Sequence, residues 1–506
     1  MRNHMAAGWF YSPSQISRYL STRVTSLKRP KIPLKNPITL FGLLSCHQWL
    51  MFISGFVAWV WDSFDFFTVS LTTTELAEAF NVKNSDVTWG ITVTLMLRPV
   101  GAFLCGVISD RYGRKWPMIV TLFFFVVLEL GSGFCETVSQ FMAVRALYGI
   151  AMGGLYGPAV ATALEDLPFE AKGLFSGFFQ IGYPLGDLLA AAFYRALVPT
   201  TPEGWRSLFF FGAAPQVLMI LLRWYLPDTA QFQATKAQRE AAATTDNTGH
   251  SPRQSNVFLK DAARVIGKNW VLFIYLVMLT TAFNFCTHGS SDFYPTFLRD
   301  QVGLDATFSS ITVIVGQAGA IVGGLALGYT STFLGRRLTM LIACVFGGSI
   351  LPAYILLRSK SLSVSGFFQH IFVGGVWGPM PIYLLEMSPA ETRTFMAGLT
   401  YQLGNLGASA SATIQSTMGE KYPLPPSADG TKRFDYAKVI AIFLGVIWAI
   451  MPFLILVGAE MTQGEREEEA ARLQHPDGQL SADAATLELK KRELARQGTA
   501  HHTESV

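Results

Sequence analysis

The chain is 506 residues long, half apolar, carries a net charge of +4 and is only 15% charged. A soluble protein of that size holds about 25% charged residues, so a large water-soluble enzyme or nucleic-acid binder is excluded. The five cysteines (Cys46, Cys105, Cys135, Cys286, Cys344) all lie in or at apolar stretches, where thiols serve as small packing groups; no disulfide and no metal site is predicted.

Apolar runs of about 20 residues recur along the chain, each enough to cross ~30 Å of hydrocarbon. Twelve are counted, near 47–72, 87–108, 117–135, 138–163, 173–196, 205–226, 270–297, 306–331, 338–357, 364–386, 394–418 and 438–459. A backbone in lipid must satisfy its own hydrogen bonds, and these runs do not alternate like barrel strands, so they are predicted as helices.

An arm, 1–46, precedes the first span. It is basic (Arg18, Arg23, Lys28, Arg29, Lys31, Lys35) and lacks the short apolar core and cleavage site of a signal peptide, so the first span is expected to be retained. That span carries Asp62 and Asp65 at i and i+3; two close carboxylates cannot both ionise cheaply in a low dielectric, which makes Asp62 a proton-holding candidate. The alternative is a structural pair, with Asp65 near the outer surface. Phe64, Phe66, Phe67 and Phe178 are read as packing residues. Arg98 lies well inside the second span, where its planar fork suits a carboxylate; the other reading is an internal salt bridge to an acidic residue of the first span.

Gly106-Val107-Ile108-Ser109-Asp110-Arg111-Tyr112-Gly113-Arg114-Lys115 follows, with glycines for a tight turn and an aspartate able to pair with cations or a helix end. Glu129 and Arg145 are read as structural. The fifth span holds Gln180, Tyr183 and Asp187, the last an unusual mid-span charge that serves as a protonation candidate or sits against Arg98 or Arg195. The segment 227–269 is rich in Ala, Thr, Gln and charge and separates six spans from six.

The seventh span carries the densest polar pattern. Asn284, Thr287, His288, Ser291 and Asp292 fall within an arc of roughly 140° on a helix. Ionisable groups at bilayer depth face a protein-lined interior and mark a substrate or proton path. His288 and Asp292, one turn apart, are proton-coupling candidates, or else a hydrogen-bonded pair that shapes the helix. His370 in the tenth span is read as structural. Gln402 and Asn405 give the eleventh span a polar face for substrate or for helix–helix hydrogen bonds. The tail 461–506 opens with Glu465-Arg466-Glu467-Glu468-Glu469 and reads as a solvated segment. Basic clusters at the arm, Arg111/Arg114/Lys115, the linker and Arg336/Arg337 share one side if every span crosses, which puts both termini in the cytoplasm.

The halves repeat. At an offset of 221, Gly153-Gly154-Leu155-Tyr156-Gly157-Pro158 matches Gly374-Gly375-Val376-Trp377-Gly378-Pro379, and Leu164-Glu165 matches Leu385-Glu386, Pro168 Pro389, Glu170 Glu391 and Gly177 Gly398. Shifted by one, the loop at Gly106 to Lys115 matches Gly328, Gly335, Arg336 and Arg337. Two similar six-helix halves joined by a linker is the layout of transporters that rock about a midplane site.

The loop from Gly106 to Lys115 resembles the loop between helices 2 and 3 of the major facilitator superfamily, and its second copy strengthens the resemblance. Within that superfamily, residues 41–460 resemble the Jen group of fungal carboxylate:proton symporters. The group's signature in its seventh helix is matched at Asn284, Thr287, His288, Ser290, Asp292 and Thr296, with Ser291 where the group has Gln. Further likeness lies in Trp59-Val60-Trp61-Asp62-Ser63-Phe64-Asp65-Phe66-Phe67, Thr94-Leu95-Met96-Leu97-Arg98 and Tyr401-Gln402-Leu403-Gly404-Asn405. The resemblance implies an all-α membrane protein of twelve helices in two pseudo-symmetric bundles, 47–226 and 270–460. It implies substrate binding by Arg98, Asn284, Thr287, His288, Ser291, Gln402 and Asn405, and gating by Gly106, Asp110, Arg111, Gly113, Arg114, Gly335 and Arg336.

The expectation is therefore a plasma-membrane, proton-coupled importer of lactate- or pyruvate-like acids or short dicarboxylates. It works as a monomeric transport unit in the lipid bilayer, with no cofactor and no nucleic-acid partner. The rival readings are the same fold carrying a sugar acid or other organic solute, and a non-transporting nutrient sensor.

Overall fold

Local rules start the long helices. Helix α3 (Cys46–Leu71) opens on a capping box in which Ser45 and Gln48 each accept the other's backbone N–H, and α7 (Val138–Leu164) opens the same way on Thr137 and Gln140. The computed structural model describes residues 13–27, 29–30, 35–245, 267–291, 293–357, 359–389, 392–426 and 433–460. Asp292, Glu391, Lys28, Lys31 and the tail 461–506 lie outside the described residues.

Before α3 come a short helix α1 (Pro13–Ser21) and one turn, α2 (Pro37–Phe41). The first half continues through α4 (Thr73–Phe80), α5 (Asn84–Tyr112), α6 (Lys115–Gly133), α7, α8 (Phe169–Gln180), α9 (Gly182–Leu197) and α10 (Arg206–Tyr225). Helix α11 (Ala230–Thr245) belongs to a separate structural unit. The second half holds α12 (Trp270–Ser291), α13 (Ala306–Leu334), α14 (Arg336–Leu356), α15 (Leu362–Trp377), α16 (Met380–Met387), α17 (Arg393–Ala408), α18 (Ser411–Glu420) and α19 (Tyr436–Val457). A two-residue antiparallel ladder, Pro423–Leu424 with Arg433–Phe434, precedes α19.

Nine helices among the described residues are long and apolar enough to cross a membrane. The three remaining expected spans are each two helices end to end: α8 with α9, α15 with α16, and α17 with α18. Proline accounts for two of the breaks. Pro184 has no N–H for the carbonyl of Gln180, and Pro379 interrupts the ladder after α15.

Both halves are built alike. The second span packs on the fourth, α5 on α7 and α13 on α15, closely enough that a Cβ on Gly101 would meet the Ile150 carbonyl at 1.7 Å and one on Gly323 the Ile371 carbonyl at 1.8 Å. The turns after α5 and α13 pass through Gly113 and Gly335, with φ of 105° and 95°, where a side chain is strained. The halves meet along α5 against α17 and along α8 against α13, two seams in equivalent positions of the repeat. One apolar core runs through both halves, with Trp59, Tyr156 and Phe179 from the first and Trp377 and Tyr401 from the second.

Candidate functional site

A cavity of about 370 Å³ lies between the halves. Helix α12 turns its polar stripe into it: Asn284, Thr287, His288 and Ser291 all line the wall, joined by Asn405 from α17 and by Gln180, Tyr183 and Asp187 from the first half. Asp292, the last member of the stripe, lies outside the described residues.

The wall residues differ in what they have left to offer a solute. Thr287 donates to the Phe283 carbonyl at 3.2 Å and accepts from Trp377 Nε1 at 2.9 Å, so its single hydroxyl proton is already committed. Asn284 uses one amide proton on the Thr280 carbonyl at 2.9 Å, and Asn405 uses one on Gln402 Oε1 at 3.1 Å. Asn284 keeps a second N–H and its carbonyl, while the Asn405 amide also interacts with the Tyr401 side chain. Gln402 itself is fully buried and stands outside the wall, behind Asn405.

Arg98 also stands outside the wall. It is 3% exposed, its guanidinium carbon sits 4.9 Å from the centre of the Phe66 ring, and Phe66 is part of the wall. Its side-chain hydrogen bond goes to Met152 Sδ at 3.1 Å, and among the described residues no carboxylate oxygen approaches within 4.0 Å. It interacts electrostatically with the buried Asp62 without forming an ion pair.

Several expectations need correction. Phe66 and Phe67 line the cavity rather than merely packing, because α3 presents that face to the space between the halves. His370 lines it too. Asp65 is not superficial: it is fully buried and accepts hydrogen bonds from Tyr148 at 2.6 Å and from Gln216. Asp187 sits against neither Arg98 nor Arg195; among the described residues no basic nitrogen lies within 4.0 Å of it. Glu129 and Arg145, read as structural, are a buried pair at 3.3 Å and need no correction. Gln317 and Trp377, which composition alone did not single out, are also in the wall. For Gln317 a signal existed: a lone amide in the apolar run 306–331.

In the cavity wall, Tyr401 of the second half stacks on Tyr156 of the first at 3.9 Å, with ring planes 9° apart. At the basic end of the bundle the halves are tied by Asp110, whose two oxygens accept the backbone N–H groups of Thr394 and Phe395 at 3.0 and 2.8 Å, the first turn of α17. Gly106 permits the approach, since a Cβ there would lie 2.7 Å from the Phe395 Cα. Arg114 lies 3.5 Å from Asp110 and 3.1 Å from Glu165.

Burial alone would raise the Glu165 carboxyl. The charges of Arg114 and Arg393, with hydrogen bonds from Arg114 and Thr229, bring it instead below its ordinary value. Burial likewise opposes the charge on Arg114, and Glu165 and Asp110 more than restore it, leaving its pKa raised. The second half repeats the pair, Arg336 to Glu386 at 3.0 Å, while Thr332 occupies the place of Asp110. The turns match as well: Asp228 accepts from the Arg114 N–H at 2.8 Å and Glu460 from the Arg336 N–H at 2.6 Å. Arg111 is half-buried, with its guanidinium over the Tyr112 ring.

Residues 35–465 match the family model described as sugar (and other) transporter. A carboxylic acid transporter protein homolog of Saccharomyces cerevisiae is 38% identical over 459 residues, 89% of this chain and 74% of that one. The cis,cis-muconate transport protein of Acinetobacter baylyi is 23% identical over 378 residues, 73% of this chain and 88% of that one. Among solved structures, the proton:xylose symporter XylE bound to 6-bromo-6-deoxy-D-glucose superposes with a TM-score of 0.65 at 16% identity, over 80% of this chain and 94% of that chain. That likeness carries the fold alone.

Proposed function

The chain belongs to the sugar (and other) transporter family of the major facilitator superfamily, a multi-pass membrane transporter and not an enzyme, and on that premise we propose that it imports small carboxylates together with protons. The substrates are lactate- or pyruvate-like acids or short dicarboxylates, the route is alternating access at the plasma membrane, and both termini are cytoplasmic. The observation that carries the reading is the meeting, in one cavity, of the polar stripe of α12 with Asn405 and the carboxylate of Asp187, which has no basic partner among the described residues.

An anion docks on the second N–H of Asn284, on the Asn405 side chain, on His288 and on Ser291. Arg98 contributes positive potential from behind Phe66, and rotation of that ring brings the guanidinium into reach. Gln402 holds Asn405 in register. Asp187 supplies the reason for a proton: two carboxylates ~5 Å apart repel by about 3 kcal/mol at an effective dielectric constant of ~20. Protonating Asp187 removes that repulsion before the anion arrives, and His288 and Asp62 stand as further carriers. A proton also offsets the cost of moving an anion inward, about 2.3 kcal/mol per charge per 100 mV. Asp110, Arg111 and Arg114, with Gly106 and Gly113, close the basic end between cycles, and Gly335 and Arg336 do so from the second half.

The test is uptake of labelled lactate and succinate into vesicles holding the purified protein, with and without a pH gradient. Uptake should be saturable, faster with acid outside, and competed by either acid but not by glucose. Uptake unchanged when the gradient is collapsed would remove the proton from the mechanism.

A further inference from the structure

We propose that His370 is a second anion-binding position in the cavity, and that it fits the site to short dicarboxylates. This rests on the carboxylate reading above and adds a residue to it. The ring is held on three sides. Its Nδ1 lies 2.9 Å from the Gly366 carbonyl of its own helix, α15. Gly316 of α13 faces the Nδ1–Cε1 side so closely that a Cβ there would meet Nδ1 at 3.2 Å. Tyr354 of α14 meets the ring edge-on, with centroids 5.9 Å apart. The ring is 8% exposed and lines the cavity, so the remaining edge, bearing Nε2, is the one left for a solute. Among the described residues Nε2 makes no hydrogen bond.

The Gly366 contact also fixes the chemistry. A carbonyl oxygen only accepts, so Nδ1 carries a hydrogen in every protonation state. Nε2 of the neutral ring can therefore only accept, and it can donate to a carboxylate only as the imidazolium. A carboxylate bound there brings a proton onto Nε2. Tyr354 of α14 packs against the ring, and the same cavity wall holds the uncharged Gln317 of α13, Asp187 of α9, His288 of α12, Tyr183 and Tyr401. His288 with the asparagines receives one end of a dicarboxylate; His370 with Gln317 receives the other. A monocarboxylate needs only the first.

The experiment measures KM and kcat for labelled lactate and labelled succinate in vesicles, for wild type and His370→Gln, with the thermal midpoint of each protein in detergent as the folding control. His370→Gln should raise the succinate KM at least tenfold while lactate KM and both kcat values change by less than twofold. Succinate uptake by wild type should carry one more proton per turnover than lactate uptake, and the variant should lose that extra proton. Equal losses for both acids, or a lowered midpoint with no split between them, would make His370 a packing residue and overturn the proposal. So would a wild type that takes up lactate but is not inhibited by succinate. Absence of saturable uptake of either acid would instead sink the carboxylate reading itself, and this inference with it.

Discussion

Replacing Asp110 by alanine should open the basic end of the bundle, by an amount set by its contacts. Asp110 holds two backbone N–H groups of α17, at 3.0 and 2.8 Å, from inside the first half. Hydrogen bonds to a charged group contribute about 1.5–3 kcal/mol each, so both together stabilise the closed arrangement by roughly 3–6 kcal/mol. At about 1.4 kcal/mol per tenfold, the closed-to-open ratio should fall roughly 10²- to 10⁴-fold. Asp110→Asn keeps one acceptor and should lose about half of that free energy. Thr332→Ala, at the uncharged equivalent of the repeat, should change the ratio by less than about tenfold, the scale of one neutral hydrogen bond. The assay is hydrogen exchange of the Thr394 and Phe395 amides in lipid nanodiscs, compared with amides in the middle of α7. Exchange there should accelerate in the order Asp110→Ala, Asp110→Asn, Thr332→Ala, with the α7 amides unchanged. Equal exchange in wild type and Asp110→Ala would refute the claim that this carboxylate ties the halves together.

Asp187→Asn should leave uptake nearly independent of external pH between about 5 and 7.5, and a retained acid stimulation would return the proton to His288 or Asp62. Arg98→Ala should raise the KM for lactate at least tenfold even though the guanidinium is behind the wall; wild-type affinity would remove it from the site. Glu165 titrates below its ordinary value, so its charge stabilises the fold above pH ~4.5 and ceases to do so as pH falls through the lowered value. The thermal midpoint of Glu165→Gln should accordingly lie below wild type at pH 7, and the gap should close only as pH falls through the lowered value. Gly101→Ala forces a methyl to 1.7 Å from the Ile150 carbonyl. Backbone cannot give way as a side chain would, so the midpoint should fall by more than the 1–3 kcal/mol typical of overpacking implies.

Much of this architecture was written in one dimension. Hydropathy located the spans, because lipid leaves a backbone no partner but itself. The offset of about 221 residues aligned Gly113 with Gly335, Arg114 with Arg336 and Glu165 with Glu386, and the structure gives the aligned glycines the same turn and joins the aligned charges as Arg114–Glu165 and Arg336–Glu386. The stripe on α12 was legible as well, since helical periodicity places Asn284, Thr287, His288 and Ser291 on one face whatever surrounds it. Periodicity says nothing of what covers a face. Only the packing of α3, α5 and α7 put Phe66 between Arg98 and the cavity, and only the seat of α17 put Gln402 behind Asn405. Packing of α3 brought Phe67 to the wall and buried Asp65 against Tyr148, and packing of α13 on α15 brought Gln317 and His370 there. A helix carries its own faces, but the neighbour each face meets, and the depth at which they meet, are set by contacts between residues hundreds of positions apart.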